Sequence, residues 1–188
     1  MTANRIKLNS PERIRKSSRG FTLIELLVAV LVLGVLLSLA LPSYERFVTS
    51  NRLTAQINEL VGDLSLARSE AGARSRQVNV CIAVSSTACA SSGSDWAAGR
   101  IVWVDTNGNG SLDASTEILK YAPPLDGAVT MVASGPSNTS SIVFLPYGVL
   151  AAANNWTFKL CSPGDNKGRQ VSVPFSGRAI ADRIENCP

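Results

Sequence analysis

The chain has 188 residues, 45% of them hydrophobic, a size that admits a membrane-length helix plus one globular domain. Its net charge of +4 invites a nucleic-acid reading, yet six of the eighteen basic residues (Arg5, Lys7, Arg13, Arg15, Lys16, Arg19) and one of the fourteen acids (Glu12) lie in residues 1–20, which leaves twelve against thirteen, a net −1, from residue 21 onward. There is no histidine, the commonest general base, and no serine in a Gly-x-Ser-x-Gly setting, so no enzymatic activity is expected.

Behind the basic leader an apolar run extends from Phe21 to Leu41, interrupted by one charge, Glu25. At ~1.5 Å per helical residue the run is about 31 Å long, enough to cross the hydrocarbon core of a bilayer. The leader's charge is expected to hold that end in the cytoplasm. A lone carboxylate in such a run is costly without a partner, which marks Glu25 as functional. Helical spacing then continues through Leu53, Ile57, Leu60, Val61, Leu64, Ala67 and Ala71, with Arg52, Glu59, Asp63, Arg68, Glu70 and Arg74 read as the polar face. One long helix from Phe21 to about Arg74 is predicted, with Gly34 and Pro42 as its weak points. Its second half, 42–76, should lay its apolar stripe on a sheet.

After Arg76 the pattern changes to short strands separated by Gly, Pro, Ser and Asn clusters. The segments are Gln77–Val84, Arg100–Asp105, Glu117–Tyr121, Val129–Ala133, Ile142–Leu145, Trp156–Cys161, Arg169–Val173 and Ala179–Ile184. The expected fold class is α+β: a long N-terminal helix packed on an all-β head, 77–188, of about seven short strands. Trp96, Trp103 and Trp156 are expected to fill its core. Four cysteines, Cys81, Cys89, Cys161 and Cys187, lie on the side expected to be periplasmic, where thiols oxidise. Three pairings exist; Cys81–Cys89 and Cys161–Cys187 are favoured because each closes a local loop.

The junction Gly20-Phe21, followed by Thr22-Leu23-Ile24-Glu25, the apolar run and Pro42, resembles the processing site of type IV pilins and type II secretion pseudopilins. That resemblance implies cleavage between Gly20 and Phe21 by a prepilin peptidase, with N-methylation of Phe21. A second stretch narrows it. Trp96, Gly99, the strand after it, Asp105-Thr-Asn107-Gly-Asn109-Gly and Glu117-Ile-Leu119 resemble the GspH/FimT group of minor pilins and pseudopilins. Membership implies an inner-membrane protein with a periplasmic head that later enters a fibre. Its implied partners are other minor and major pilins, the peptidase and the assembly platform, with no cofactor. A minor pilin that helps initiate a type IV pilus, a secretion pseudopilin and a DNA-binding pilin for transformation all fit this group.

Two constellations in the head carry candidate chemistry. Asp105, Asn107, Asn109 and Asp113 match positions 1, 3, 5 and 9 of a calcium loop, with Gly110 at position 6. Position 12 is Thr116 and Glu117 lies one residue late, so a polar turn between strands is the preferred reading. Lys167, Arg169, Arg178 and Arg183 form the candidate DNA patch. FimT-type members that take up DNA carry Gly-Arg-x-Arg; here Gly177-Arg178-Ala179-Ile180 keeps only the first arginine.

Overall fold

The computed structural model describes residues 20–164 and 166–187, apart from the side chains at 39–43 and 46. The leader expected at 1–20 therefore lies outside the described residues except for Gly20, as does the Pro42 side chain. The chain divides after Tyr44 into two units. A single helix, α1 (Leu23–Arg74), contributes to both and is continuous past position 42.

In the first unit, α1 presents apolar side chains on all sides. Their exposure runs from 49% at Val32 to 79% at Leu23, so among the described residues of its own unit the segment packs against nothing. An apolar helix with no polar face needs lipid or other helices around it. Among the described residues no helical stretch is long and apolar enough to cross a membrane; the side chains at 39–41, which complete the run in the sequence, fall outside them.

Among the described residues, the second unit holds the rest of α1 and nine strands. In chain order these are β1 (Val78–Ser85), β2 (Ala88–Cys89), β3 (Arg100–Val104), β4 (Ile118–Ala122), β5 (Thr130–Ser134), β6 (Ser141–Phe144), β7 (Trp156–Cys161), β8 (Gly168–Val173) and β9 (Ile180–Ile184). One antiparallel sheet runs β2-β1-β3-β4 with β6 also on β1; the other runs β5-β7-β8-β9. The expected count of about seven is thus too low. Sequence reading overlooked β2, two residues that pair Cys89 with Ala83.

Strand alternation explains how one sheet can bury both faces. Val78, Val80 and Ile82 of β1 point into the main core with Val102 and Val104 of β3. Cys81, Ala83, Ile101 and Trp103, on the opposite face, form a second cluster under Leu112 and Ile118. The main core is closed by α1, whose Leu53, Ile57, Leu60, Leu64, Ala67 and Ala71 are all within 2% of full burial. Each of the four large side chains contributes roughly 1.5–3 kcal/mol by leaving water. From the second sheet come Met131, Trp156, Phe158, Leu160, Val171 and Val173.

All three tryptophans are buried, at 0%, 3% and 2% exposure for Trp96, Trp103 and Trp156. Trp96 meets Phe158 edge-on with ring centroids 4.9 Å apart, and its Nε1 donates to the Thr139 carbonyl at 2.8 Å. Disulfides join Cys81 to Cys89 and Cys161 to Cys187. The first ties β1 to β2, and the second ties the end of β7 to the segment after β9.

Asp63 departs from the expected polar face. It is 1% exposed, and its two carboxylate oxygens accept from Arg100 Nε at 2.5 Å and Lys120 Nζ at 2.6 Å. Arg100 is itself fully buried on the helix-facing side of β3, and Glu59 lies 3.6 Å from its Nη2. Helical spacing places Asp63 between Leu60 and Leu64, at the margin of the apolar stripe. A cation from the facing sheet makes burial there tolerable.

Candidate functional site

At the N-terminal end, Gly20 and Phe21 precede the helix outside any regular element, with Phe21 91% exposed. Thr22 and Glu25 then form a reciprocal cap. The Glu25 amide donates to Thr22 Oγ1 at 3.3 Å, while the Glu25 carboxylate accepts from the Thr22 amide and hydroxyl, both at 2.9 Å. This satisfies two of the donors that a helix start leaves open, and it sets a negative charge on the positive end of the dipole. Ser/Thr-x-x-Glu before an apolar run is a legible signature of this cap, and the sequence reading passed over it. In this geometry the carboxylate already has a partner within its own chain.

The loop between β3 and β4 is built on two buried carboxylates. Asp105, 2% exposed, accepts from the amides of Gly108 at 2.7 Å, Asn109 at 3.2 Å and Gly110 at 2.8 Å. Glycine suits 108 and 110 because φ there is +78° and +75°. Asn107 and Asn109 turn their Nδ2 groups to Asp113, at 2.9 and 2.7 Å. Glu117, at the end of a short 3-10 turn (Ser115–Glu117), is 3% exposed and closes the loop. It accepts from the Thr106 hydroxyl, the Thr106 amide at 3.1 Å and the Asp113 amide at 3.0 Å. The Thr106 hydroxyl bond, then those amide bonds, hold its carboxyl below the usual carboxylate range. Glu117 thus latches the loop through these bonds. Among the described residues no three His, Cys, Asp or Glu side chains converge as a metal site.

The four basic candidates fall into two places. Arg169 and Arg183 are directly opposite one another on β8 and β9. Both line a cavity of about 370 Å³ with Ser50, Leu53, Lys167 and Glu185. Arg178 sits elsewhere, in a cavity of about 490 Å³ with Arg68, Ser69, Gly72, Tyr147 and Gly177. The helix residues that the two groups adjoin are some fifteen positions apart, roughly 22 Å of α-helix. The structure thus gathers Lys167, Arg169 and Arg183 and leaves Arg178 out.

The family model described as "Type II transport protein GspH" matches residues 56–177. This chain belongs to the GspH family. A second model, the prokaryotic N-terminal methylation motif, matches residues 15–41 and so covers the Gly20-Phe21 junction, the cap and the apolar run. Over 52 residues the chain is 46% identical to a probable minor fimbrial protein of Dichelobacter nodosus, which covers 28% of this chain and 32% of that one. Over 44 residues it is 36% identical to fimbrial protein Q of Moraxella bovis, or 23% of this chain and 28% of the other. The chain thus spans about a third of the length of the curated relatives it matches. In fold it is similar to the type IV minor pilin FimU of Pseudomonas aeruginosa, with a TM-score of 0.56, 24% identity, and coverage of 76% of this chain and 99% of that one. The GspH match takes in α1 from Gln56, including Asp63, both loop carboxylates and the first eight strands; it stops before β9.

Proposed function

We propose that this GspH-family chain is a minor type IV pilin. In this reading it is cut between Gly20 and Phe21 by a prepilin peptidase, N-methylated on Phe21, and held in the inner membrane by 21–41 with its head in the periplasm. The assembly platform then draws it into a pilus, which it helps to initiate and in which it contacts other minor and major pilins. The observation that carries this reading is the methylation-motif match over 15–41, on a helix whose apolar side chains have no cover of their own. The names of the fimbrial relatives and the FimU-like fold point the same way.

Glu25 is the register pin in this mechanism. Its bonds to Thr22 keep the carboxylate satisfied in the single subunit. In the fibre it would exchange them for the charged amine of Phe21 on a neighbouring subunit. A carboxylate in apolar surroundings is stabilised only with such a partner in place, so the contact fixes axial stagger. The test is incorporation of Glu25→Ala into sheared pili, with Thr22→Val to separate loss of the cap from loss of the charge. Glu25→Ala is expected to be processed yet absent from pili, and Thr22→Val to be incorporated. Wild-type incorporation of Glu25→Ala would overturn the mechanism.

A type II secretion pseudopilin is the second reading, favoured by the description of the matching family itself. Deletion of the gene, scored in parallel for surface pili and for secreted protein, separates the two machines. DNA uptake has less support, since Arg178 lies apart from the other three basic residues.

A further inference from the structure

The edges of the two sheets are not equally covered. β5 is capped by a bridge from Asp95 to Val132 and by Ala133 N–H donating to the Ser94 carbonyl at 2.9 Å. β6 is capped by residues 150–151, through a Phe144–Leu150 bridge and Ala151 N–H to the Val143 carbonyl at 2.9 Å. β9 ends its sheet, four of its five residues are exposed, and among the described residues no backbone bond reaches its outer side. An open edge of this kind is a template for another strand.

The face of β9 next to α1 is also unfilled. Register places Ala181 opposite Val171 and Arg183 opposite Arg169, so these side chains share the helix-facing side of the sheet. Val171 is buried in the core, while Ala181 and Arg183 are exposed. Between them and the helix runs a trough made of the 370 Å³ cavity beside Ser50 and a 330 Å³ one beside Thr54 and Asn58, both lined by Arg169 and Arg183. Arg169 spends its donors on neutral oxygens, Ser50 Oγ at 3.2 Å and Thr54 Oγ1 at 3.0 Å. Among the described residues no carboxylate lies within ion-pairing distance of Arg169 or Arg183. Asp182 is opposite Gln170, on the alternate face of the strand, and it and Glu185 border the two cavities without pairing with either arginine.

Like charges directly opposite on adjacent strands destabilise the pair, and an inward-pointing charge on an edge strand discourages indiscriminate pairing. Here the same two arginines define what is admitted. A strand that brings a carboxylate to the position beside Arg183 relieves the repulsion; one that brings an apolar or basic residue does not. Main-chain bonds along β9 supply attraction, and the arginines supply selectivity.

We propose that β9 and its trough receive an extended acidic segment of another pilin subunit, which adds as a fifth strand and sets a carboxylate against Arg183 and Arg169. This rests on the minor-pilin reading and names the surface through which it is met. The experiment uses the full-length chain in cells that assemble the fibre, carrying Ile180→p-benzoylphenylalanine, whose side chain is on the face away from the trough. Irradiated fibres should yield a cross-link that mass spectrometry maps to a non-helical, Asp- or Glu-containing segment of another pilin. Arg183→Glu should lower its yield about tenfold, the effect of ~1.4 kcal/mol, Arg183→Lys should retain it, and Lys at the mapped acid should restore it in the Arg183→Glu background. Formation of the Cys161–Cys187 bond in each variant reports that the head has folded. Cross-links to nucleic acid, to a helical stretch or to a segment without a carboxylate overturn the proposal, as does a yield insensitive to Arg183→Glu. If the chain is absent from fibres, the pilin reading fails and takes this inference with it; if it is present but not cross-linked, this inference fails alone.

Discussion

Replacing Asp63 with alanine isolates the contribution of the ion cluster that fastens α1 to β3. Arg100 is fully buried, and its Nε bond to Asp63 at 2.5 Å is its main compensation. Its Nη1 and Nη2 have no hydrogen-bond partner, and the nearest other carboxylate, Glu59, lies 3.6 Å from Nη2 and is 42% exposed. Lys120 also loses its 2.6 Å bond but is 40% exposed and can turn to water. The dominant penalty is therefore a guanidinium stranded in the core, about 3–5 kcal/mol for one broken buried pair. For a domain of this size, that is a fall in melting temperature of roughly 10–20 °C. Full-length protein in detergent can be followed by tryptophan fluorescence, since all three tryptophans are buried in the head. The double variant Asp63→Leu/Arg100→Met removes both charges and should recover most of the loss. High salt should leave the wild-type value almost unchanged, because a buried pair is weakly screened. An Asp63→Ala penalty below about 1 kcal/mol, or a double variant as unstable as the sum of the singles, would refute the argument.

Other outcomes follow from the same structure. Removing the Cys161–Cys187 bond, which spans 26 residues, should cost about 3.5 kcal/mol by the chain-entropy relation, against about 2.5 for Cys81–Cys89, which spans 8; chemical denaturation of the two Cys→Ser pairs tests the order. Gly168→Ala would drive its Cβ into Cys187 Sγ and to 2.5 Å from the Leu160 carbonyl, so overpacking by roughly 1–3 kcal/mol and slower closure of that disulfide are expected in a refolding assay. Glu117 has a lowered folded pKa, so its contribution is fully present above the ordinary carboxylate range and is lost as pH falls through and below it. Glu117→Gln should remove that part of the acid-side decline in thermal stability, and an unchanged pH slope would count against the latch.

Eight of the nine strands were legible within a residue or so at each end, because alternation and Gly/Pro punctuation are local signals. β2 was not, since its two residues carry no pattern and are held by a disulfide and one short ladder. Asp63 was misplaced for a different reason. Periodicity sees that it borders Leu60 and Leu64, but its partner Arg100 is thirty-seven positions away, and only tertiary structure brings them together. Glu117 illustrates the converse risk of motifs. Read against a calcium loop it is one residue late, and the structure has it accepting from Thr106 and Asp113. The four basic residues lay within seventeen positions of one another in the chain, but the turn after β8 carries Arg178 away from Arg169 and Arg183.

The burial of six side chains along one stripe of α1 has a mechanical consequence. Between Leu53 and Ala71 the helix is not an appendage of the head but the largest single member of its core, joined to it by parallel contacts and by the Asp63–Arg100 clamp. Tension applied along its axis loads these contacts together, in shear, instead of peeling them one at a time. The two disulfides lie on the sheets, beyond the helix, so neither restrains α1 itself. Whatever pull the head withstands is borne by apolar packing, one buried ion cluster and a few side-chain hydrogen bonds, among them Arg68 to the Gly148 carbonyl and Arg169 to Ser50 and Thr54.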